Sequence, residues 1–83
     1  MKKREPPIRI LERKLGREGA YGLSWGDGCI EIDPRQSARN RMGTIIHEAL
    51  HELFPGAGEL EVTKAANVIS RLLWFDSWRR IYR

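Results

Sequence analysis

The stretch SARNRMGTIIHEALHELFPGAGELEVTKAANVISRLL, residues 37–73, contains two helical patterns separated by a break. Over residues 37–54 the apolar residues recur at helical spacing, namely Met42, Ile45, Ile46, Ala49, Leu50 and Leu53. The Pro-Gly-Ala-Gly segment at 55–58 ends this helix. A second apolar stripe begins after Glu59 and comprises Val62, Ala65, Ala66, Ile69, Leu72 and Leu73. The sequence therefore predicts a helical hairpin.

The residues before this hairpin of helices alternate in the manner of β-strands. Tyr21, Leu23 and Trp25 are separated by single residues, a Gly-Asp-Gly turn follows at 26–28, and Ile30 and Ile32 alternate again. A weaker alternation near residues 8–12 indicates an additional N-terminal strand. The expected fold is α+β, with a small antiparallel sheet, the β-hairpin plus the N-terminal strand, packed on two helices.

The length of the chain limits how much core it can bury. At 83 residues the sequence predicts one domain, 1–83, with a flexible basic arm at 1–7 and a basic tail at 79–83. The one cysteine, Cys29, cannot form an internal disulfide, and so a metal or a partner becomes the expected source of extra stability. The chain also lacks an apolar run long enough to cross a membrane. We therefore expect a cytoplasmic protein without a membrane partner.

The net charge of +4 is unevenly distributed. Residues 1–17 carry seven Lys or Arg against two Glu, and residues 71–83 carry four Arg against one Asp, whereas residues 18–70 carry four basic against eight acidic residues. Nucleic-acid modules concentrate basic residues on a working face. Because the basic residues here are terminal, the pattern argues against nucleic acid as the main partner.

The first predicted helix carries the segment His47-Glu48-Ala49-Leu50-His51, which has the form HExxH. Histidines at positions i and i+4 project from adjacent turns on one side of a helix, so that both imidazoles can bind one Zn²⁺. Helical geometry places both on the rim of the buried face. Glu48 points along the same rim, where it could accept a proton from water. The sequence therefore predicts a zinc site.

The segment TIIHEALH, residues 44–51, resembles the active-site helix of the zincin metallopeptidases. The compact layout resembles minimal gluzincins and small phage or prophage metallopeptidases. The resemblance implies a zinc metallopeptidase, expected to be an endopeptidase that acts on a peptide or protein substrate, with Glu48 as the general base. One departure is Glu52, since zincins usually carry an uncharged residue directly after the second histidine. We expect Glu52 either to disturb the electrostatics near the metal or to face solvent.

A catalytic zinc needs a third protein ligand, and the chain contains only two histidines. The remaining choice is a carboxylate, and the two candidates are Glu59 and Glu61. Glycines at 56 and 58 allow a sharp reversal of the chain. Because Glu59 is the first acidic residue after the reversal and lies three residues before Val62, we place it on the core-facing stripe and prefer it as the ligand. Glu61 stays open as the alternative.

The C-terminal segment leaves room for other interpretations. Trp74, Trp78 and Tyr82 recur at four-residue intervals among arginines 71, 79, 80 and 83. They could close the core, form a latch over a cleft or stack on single-stranded nucleic acid. The alternative function is accordingly a catalytically idle zinc module that binds protein or nucleic acid through this C-terminus.

For a peptidase, the substrate would pair with an edge strand, either residues 21–25 or residues 30–33.

Overall fold

The structure is a computed structural model that describes residues 8–78. Within that part, the strands are β1 (Arg9–Glu12), β2 (Gly22–Ser24) and β3 (Cys29–Ile32), and the helices are α1 (Ala38–Leu53) and α2 (Glu59–Leu73). A short 3-10 turn, Gly16–Glu18, follows β1, and a π-helical turn, Trp74–Trp78, follows α2. The α+β class is confirmed. The predicted arm at 1–7 and the predicted tail at 79–83 lie outside the described residues.

Strands β2 and β3 form the predicted hairpin. They pair antiparallel, with Gly22 opposite Ile32 and Ser24 opposite Ile30. In the connecting turn Gly26 and Gly28 have φ angles of 79° and 82°. These values are readily adopted only by glycine, and this explains the Gly-Asp-Gly sequence of the turn.

The predicted N-terminal strand exists, but the sheet is mixed and not antiparallel throughout. The strand order is β1-β3-β2, and β1 pairs parallel to β3. The chain leaves β1, passes the fully buried Leu15 and reaches β2 on the other side of β3. A parallel pair requires such a crossover connection. It is anchored where the Leu15 N–H donates to Asp33 Oδ2 over 2.9 Å.

Both helices begin where the sequence predicts. The Ser37 hydroxyl caps α1 by accepting from the Asn40 N–H over 3.2 Å, and Gly58 precedes α2 in an extended conformation. Positive φ angles occur at glycines 19, 26 and 28. The reversal at 55–58 therefore forms without a left-handed glycine. It does not use the conformational freedom of Gly56 and Gly58 on which the sequence led us to expect it to depend.

The core is small and lies where α1 meets the sheet and α2. Its apolar members are Leu15, Ile30, Ile32, Met42, Val62 and Ala66. The predicted apolar stripes extend further than the core does, since Leu53 is 54% exposed and Leu72 is 66% exposed. Helix α1 packs against both the sheet and α2, whereas α2 packs mainly against α1. The three short strands thus cover only one side of the helical hairpin.

Candidate metal centre

The two histidines of the HExxH segment lie one turn apart on α1. Their ring centroids are 4.9 Å apart and the ring planes meet at 65°. Each side chain is 24% exposed, which places both rings on the rim of the core, as predicted. Both Nε2 atoms point towards the start of α2, since both lie near the same carboxylate there.

That carboxylate belongs to Glu59, the first residue of α2. Its Oε1 lies 2.9 Å from His47 Nε2, and its Oε2 lies 2.9 Å from His51 Nε2. The side chain is 71% exposed, so our placement of Glu59 on the core-facing stripe is wrong. The residue reaches the histidines because the turn at 55–58 starts α2 beside the end of α1. Glu61, the alternative, is exposed and does not belong to this group.

The three side chains fit a zinc ion. One donor atom from each of His47, His51 and Glu59 lies within 4.8 Å of the others. Tetrahedral zinc with nitrogen and oxygen ligands holds its donors about 3.3 Å apart, slightly more than the present 2.9 Å contacts. The two contacts between Glu59 and the histidines would have to lengthen by a few tenths of an ångström to reach this spacing. Two imidazoles and one carboxylate also form a ligand set used by catalytic zinc sites.

Glu48 lies next to this group and is half-buried. Desolvation by burial raises the pKa of its carboxyl above the ordinary value. The carboxylates of Glu59 and Glu52 also raise it, whereas His47 and His51, when protonated, lower it. A carboxyl group with a raised pKa is a stronger base than an ordinary glutamate, which favours proton transfer near neutral pH.

Glu52 does not simply face solvent, and its charge does act on the site, since it helps to raise the pKa of Glu48. Its carboxylate accepts hydrogen bonds from the Ser24 hydroxyl, from the Gly26 N–H over 2.5 Å and from the Gly28 N–H over 2.7 Å. The Ser24 bond, followed by the two backbone bonds, lowers the pKa of Glu52. The residue therefore ties the β-hairpin to α1. The sequence carries no local signal for this role, since the partners lie 24–28 positions away.

An open cleft of about 850 Å³ extends from this group along α1. Its walls come from residues 20–22, α1 and α2, and His47 and Glu48 line it. The strand beside it is β2, which is an edge strand, whereas β3 is central. Of the two strands that we considered for substrate pairing, residues 30–33 are therefore excluded.

The free edge of β2 has backbone groups available for pairing. The Asp33 N–H donates to the Tyr21 carbonyl over 2.9 Å, and the Trp25 N–H donates to the Cys29 carbonyl over 3.4 Å. Because alternate residues of an antiparallel strand point to the same neighbour, Tyr21 and Trp25 face β3. The backbone groups of Gly22, between them, then face away from the sheet, on the side of the cleft.

The C-terminal aromatic residues are only partly covered by the structure. Trp74 is half-buried and Phe75 is 54% exposed, and neither lines the cleft. The side chain of Trp78 lies outside the described residues, as do Tyr82 and the arginines at 79, 80 and 83. The predictions of core closure, a latch or a stacking surface therefore stay open.

Comparison with models of protein families, with curated proteins and with solved structures finds no match. Among the described residues, no helix has both the length and the apolar character needed to span a bilayer.

Proposed function

We propose that the chain is a zinc-dependent metallopeptidase that binds zinc through His47, His51 and Glu59. The observation that carries the proposal is the Glu59 carboxylate, which faces both histidine Nε2 atoms at 2.9 Å. A zinc site assembled from two elements needs this convergence, and the HExxH spacing alone does not provide it. The half-buried Glu48 beside the group and the cleft that it lines support a reaction there.

In this proposal the chain's own residues bind, orient and transfer a proton. A bound Zn²⁺ would supply a Lewis acid that polarises a carbonyl and lowers the pKa of water. Glu48 takes a proton from the attacking water, and its raised pKa suits it to pass that proton on to the leaving amine. The histidines must be neutral to act as ligands, so activity should fall in acid.

The proposed substrate is an extended peptide that pairs with β2. Edge strands bind such segments through backbone hydrogen bonds, and the free edge of β2 faces the cleft. Gly22 contributes no side chain, so that β2 itself lies close to Thr44 and Glu48 of α1 and brings its free edge near the proposed base. This supports a peptide or protein substrate. The cytoplasmic location stays a proposal that rests on the sequence pattern alone.

The test compares the unmodified protein with Glu48→Gln and Glu61→Gln. Glutamine keeps the size of residue 48 but cannot accept the proton, and loss of a general base typically costs about 10² to 10⁴ in rate. We expect elemental analysis to find one zinc per chain in all three proteins, and a peptide library to be cleaved by all except Glu48→Gln. The matched Glu61→Gln variant removes an exposed glutamate outside the zinc group.

A double variant, His47→Ala with His51→Ala, supplies the metal control and should bind no zinc. The peptidase proposal fails if the zinc-loaded protein cleaves nothing in the library. That result would favour the catalytically idle module. Cleavage that survives Glu48→Gln would remove Glu48 from the role of base.

A further inference from the structure

Two arginines line the cleft in addition to His47 and Glu48. Arg39 lies in the first turn of α1, and Arg71 lies in the last turn of α2. The helices form a hairpin, so these positions are at the same end, opposite Glu59. The guanidinium of Arg39 also stacks over the Phe75 ring, 5.3 Å from its centroid. Two cations from different helices therefore converge at one end of the cleft.

Neither arginine has a carboxylate partner within residues 8–78. Other arginines do, in the ion pairs Arg13–Glu31, Arg35–Asp33 and Arg41–Glu12. The cleft is also lined by polar, uncharged side chains, among them Gln36, Asn40, Asn67 and Ser70. An uncompensated pair of cations in a polar groove attracts an anion, and guanidinium groups bind carboxylates with two parallel hydrogen bonds.

The distance from the zinc group to the arginines corresponds to a few residues of peptide. Arg39 precedes His47 by eight residues, which is about 12 Å along a helix. An extended peptide advances about 3.3 Å per residue and covers this distance in three to four residues.

The direction of such a peptide follows from β2. Gly22 lies beside Thr44 and Glu48, and Ser24 bonds to Glu52, so β2 and α1 run in the same direction. A peptide that pairs antiparallel to β2, the more stable arrangement per residue, runs from the zinc group towards Arg39. The C-terminal side of the substrate then reaches the arginines.

We infer that Arg39 and Arg71 select substrates that carry a carboxylate three to four residues after the cleaved bond. This inference rests on the proposed peptidase function and adds the substrate class to it. The carboxylate can belong to an acidic side chain or to the C-terminus of a short peptide, since both present the same two oxygens. Stacking on Phe75 holds the Arg39 guanidinium in place before the substrate arrives.

The experiment measures binding without turnover. Zinc-loaded Glu48→Gln protein is titrated into fluorescein-labelled decapeptides, and anisotropy reports the Kd. Three peptides share one sequence: the first has Gln at the selected position and an amidated C-terminus, the second has Glu there, and the third keeps Gln but ends in a free carboxylate at that position. We expect the second and third to bind about 5- to 20-fold more tightly than the first, as two partly exposed ion pairs would give.

The double variant Arg39→Gln with Arg71→Gln should bind all three peptides equally. Lys64→Gln provides the matched control, because it removes one positive charge from α2 outside the cleft and should keep the preference. Salt at about 0.5 M should also weaken the preference, since exposed charges are screened. If only the second or only the third peptide is preferred, that result identifies whether the cleft binds an acidic side chain or a C-terminal carboxylate.

The inference is overturned if no peptide binds, or if the preference persists in the double variant. Failure of the peptidase proposal alone would give a different experimental result. If the unmodified protein cleaves none of the peptides while the preference still depends on both arginines, the cleft is a carboxylate-binding site without peptidase activity.

Discussion

Gly22 of the edge strand lies directly against Glu48 of the HExxH segment. A Cβ atom at position 22 would stand 2.9 Å from Glu48 Cγ and 2.5 Å from Thr44 Cγ2. Thr44 cannot easily rotate away, because its hydroxyl bonds to Gln36 Oε1 over 2.7 Å and to the Asn40 carbonyl over 2.9 Å. The edge strand can therefore lie this close to the proposed base only with glycine at that position.

We predict that Gly22→Ala destabilises the protein by about 1 to 3 kcal/mol, the usual cost of forcing an extra carbon into a packed contact. Urea denaturation measures the change. Gly56→Ala is the matched control, because no atom lies within 4 Å of the new Cβ and its φ angle is not positive. That variant should change stability by no more than about 1 kcal/mol, with stabilisation expected. Equal effects at both positions would contradict the close contact.

The bonds from Glu52 to the hairpin lead to a second prediction. Glu52→Gln leaves one carbonyl oxygen where two carboxylate oxygens now accept from three donors, among them the Gly26 and Gly28 amides. We expect a lower melting temperature and faster hydrogen exchange at both glycine amides, with zinc binding retained. Glu61→Gln, the change of an exposed glutamate elsewhere, should leave the exchange unaltered. Unchanged hydrogen exchange in Glu52→Gln would show that the turn keeps its structure without the bonds to Glu52.

Local patterns predicted the elements of this fold better than their arrangement. The hairpin follows from alternation around Gly26 and Gly28, and α1 follows from its apolar period and the Ser37 cap. The parallel pairing of β1 has no local signal, because it depends on contacts between residues far apart in sequence. The bond from Leu15 to Asp33 spans 18 residues. Alternation predicts a strand but not the neighbour beside which it lies.

The same limit applies to the candidate site. His47 and His51 share a face by helical geometry alone, so their spacing predicted their proximity. The choice between Glu59 and Glu61 depends on the angle at which α2 leaves the turn, and the spacing of residues in the sequence does not predict that angle. The convergence of Arg39 and Arg71 requires the paired helices, since these residues are distant in sequence.

Our third prediction concerns Glu59, the proposed third zinc ligand. Glu59→Gln should weaken zinc binding by at least about 100-fold, because it removes a direct anionic ligand and even outer partners of metal ligands contribute about 10- to 100-fold. Glu61→Gln should weaken it by less than about fivefold, since it removes only a charge in the first turn of a helix. Competition against a chromophoric chelator measures both affinities. The reverse order would transfer the ligand role to Glu61, and two small effects would exclude both.

Asp33 provides the fourth prediction, which concerns pH. Its side chain is buried, with 4% of the residue exposed, and its carboxylate accepts from the Leu15 N–H over 2.9 Å, the Arg35 N–H over 2.9 Å and the Arg35 side chain over 2.7 and 3.0 Å. The Arg35 guanidinium first, and then these backbone donors, hold the pKa of Asp33 well below its usual range. A pKa depressed by folding gives stability that is present above the unfolded value, about 3.9, and is lost as the pH falls towards the folded value.

Asp33→Asn should therefore lower the urea midpoint at pH 7, and its difference from the unmodified protein should shrink towards pH 2. Asp27→Asn, which affects one exposed hydrogen bond to the Cys29 N–H, should have a smaller effect at pH 7. A difference for Asp33→Asn that stays constant between pH 7 and pH 2 would show that its charge does not hold the crossover to β3.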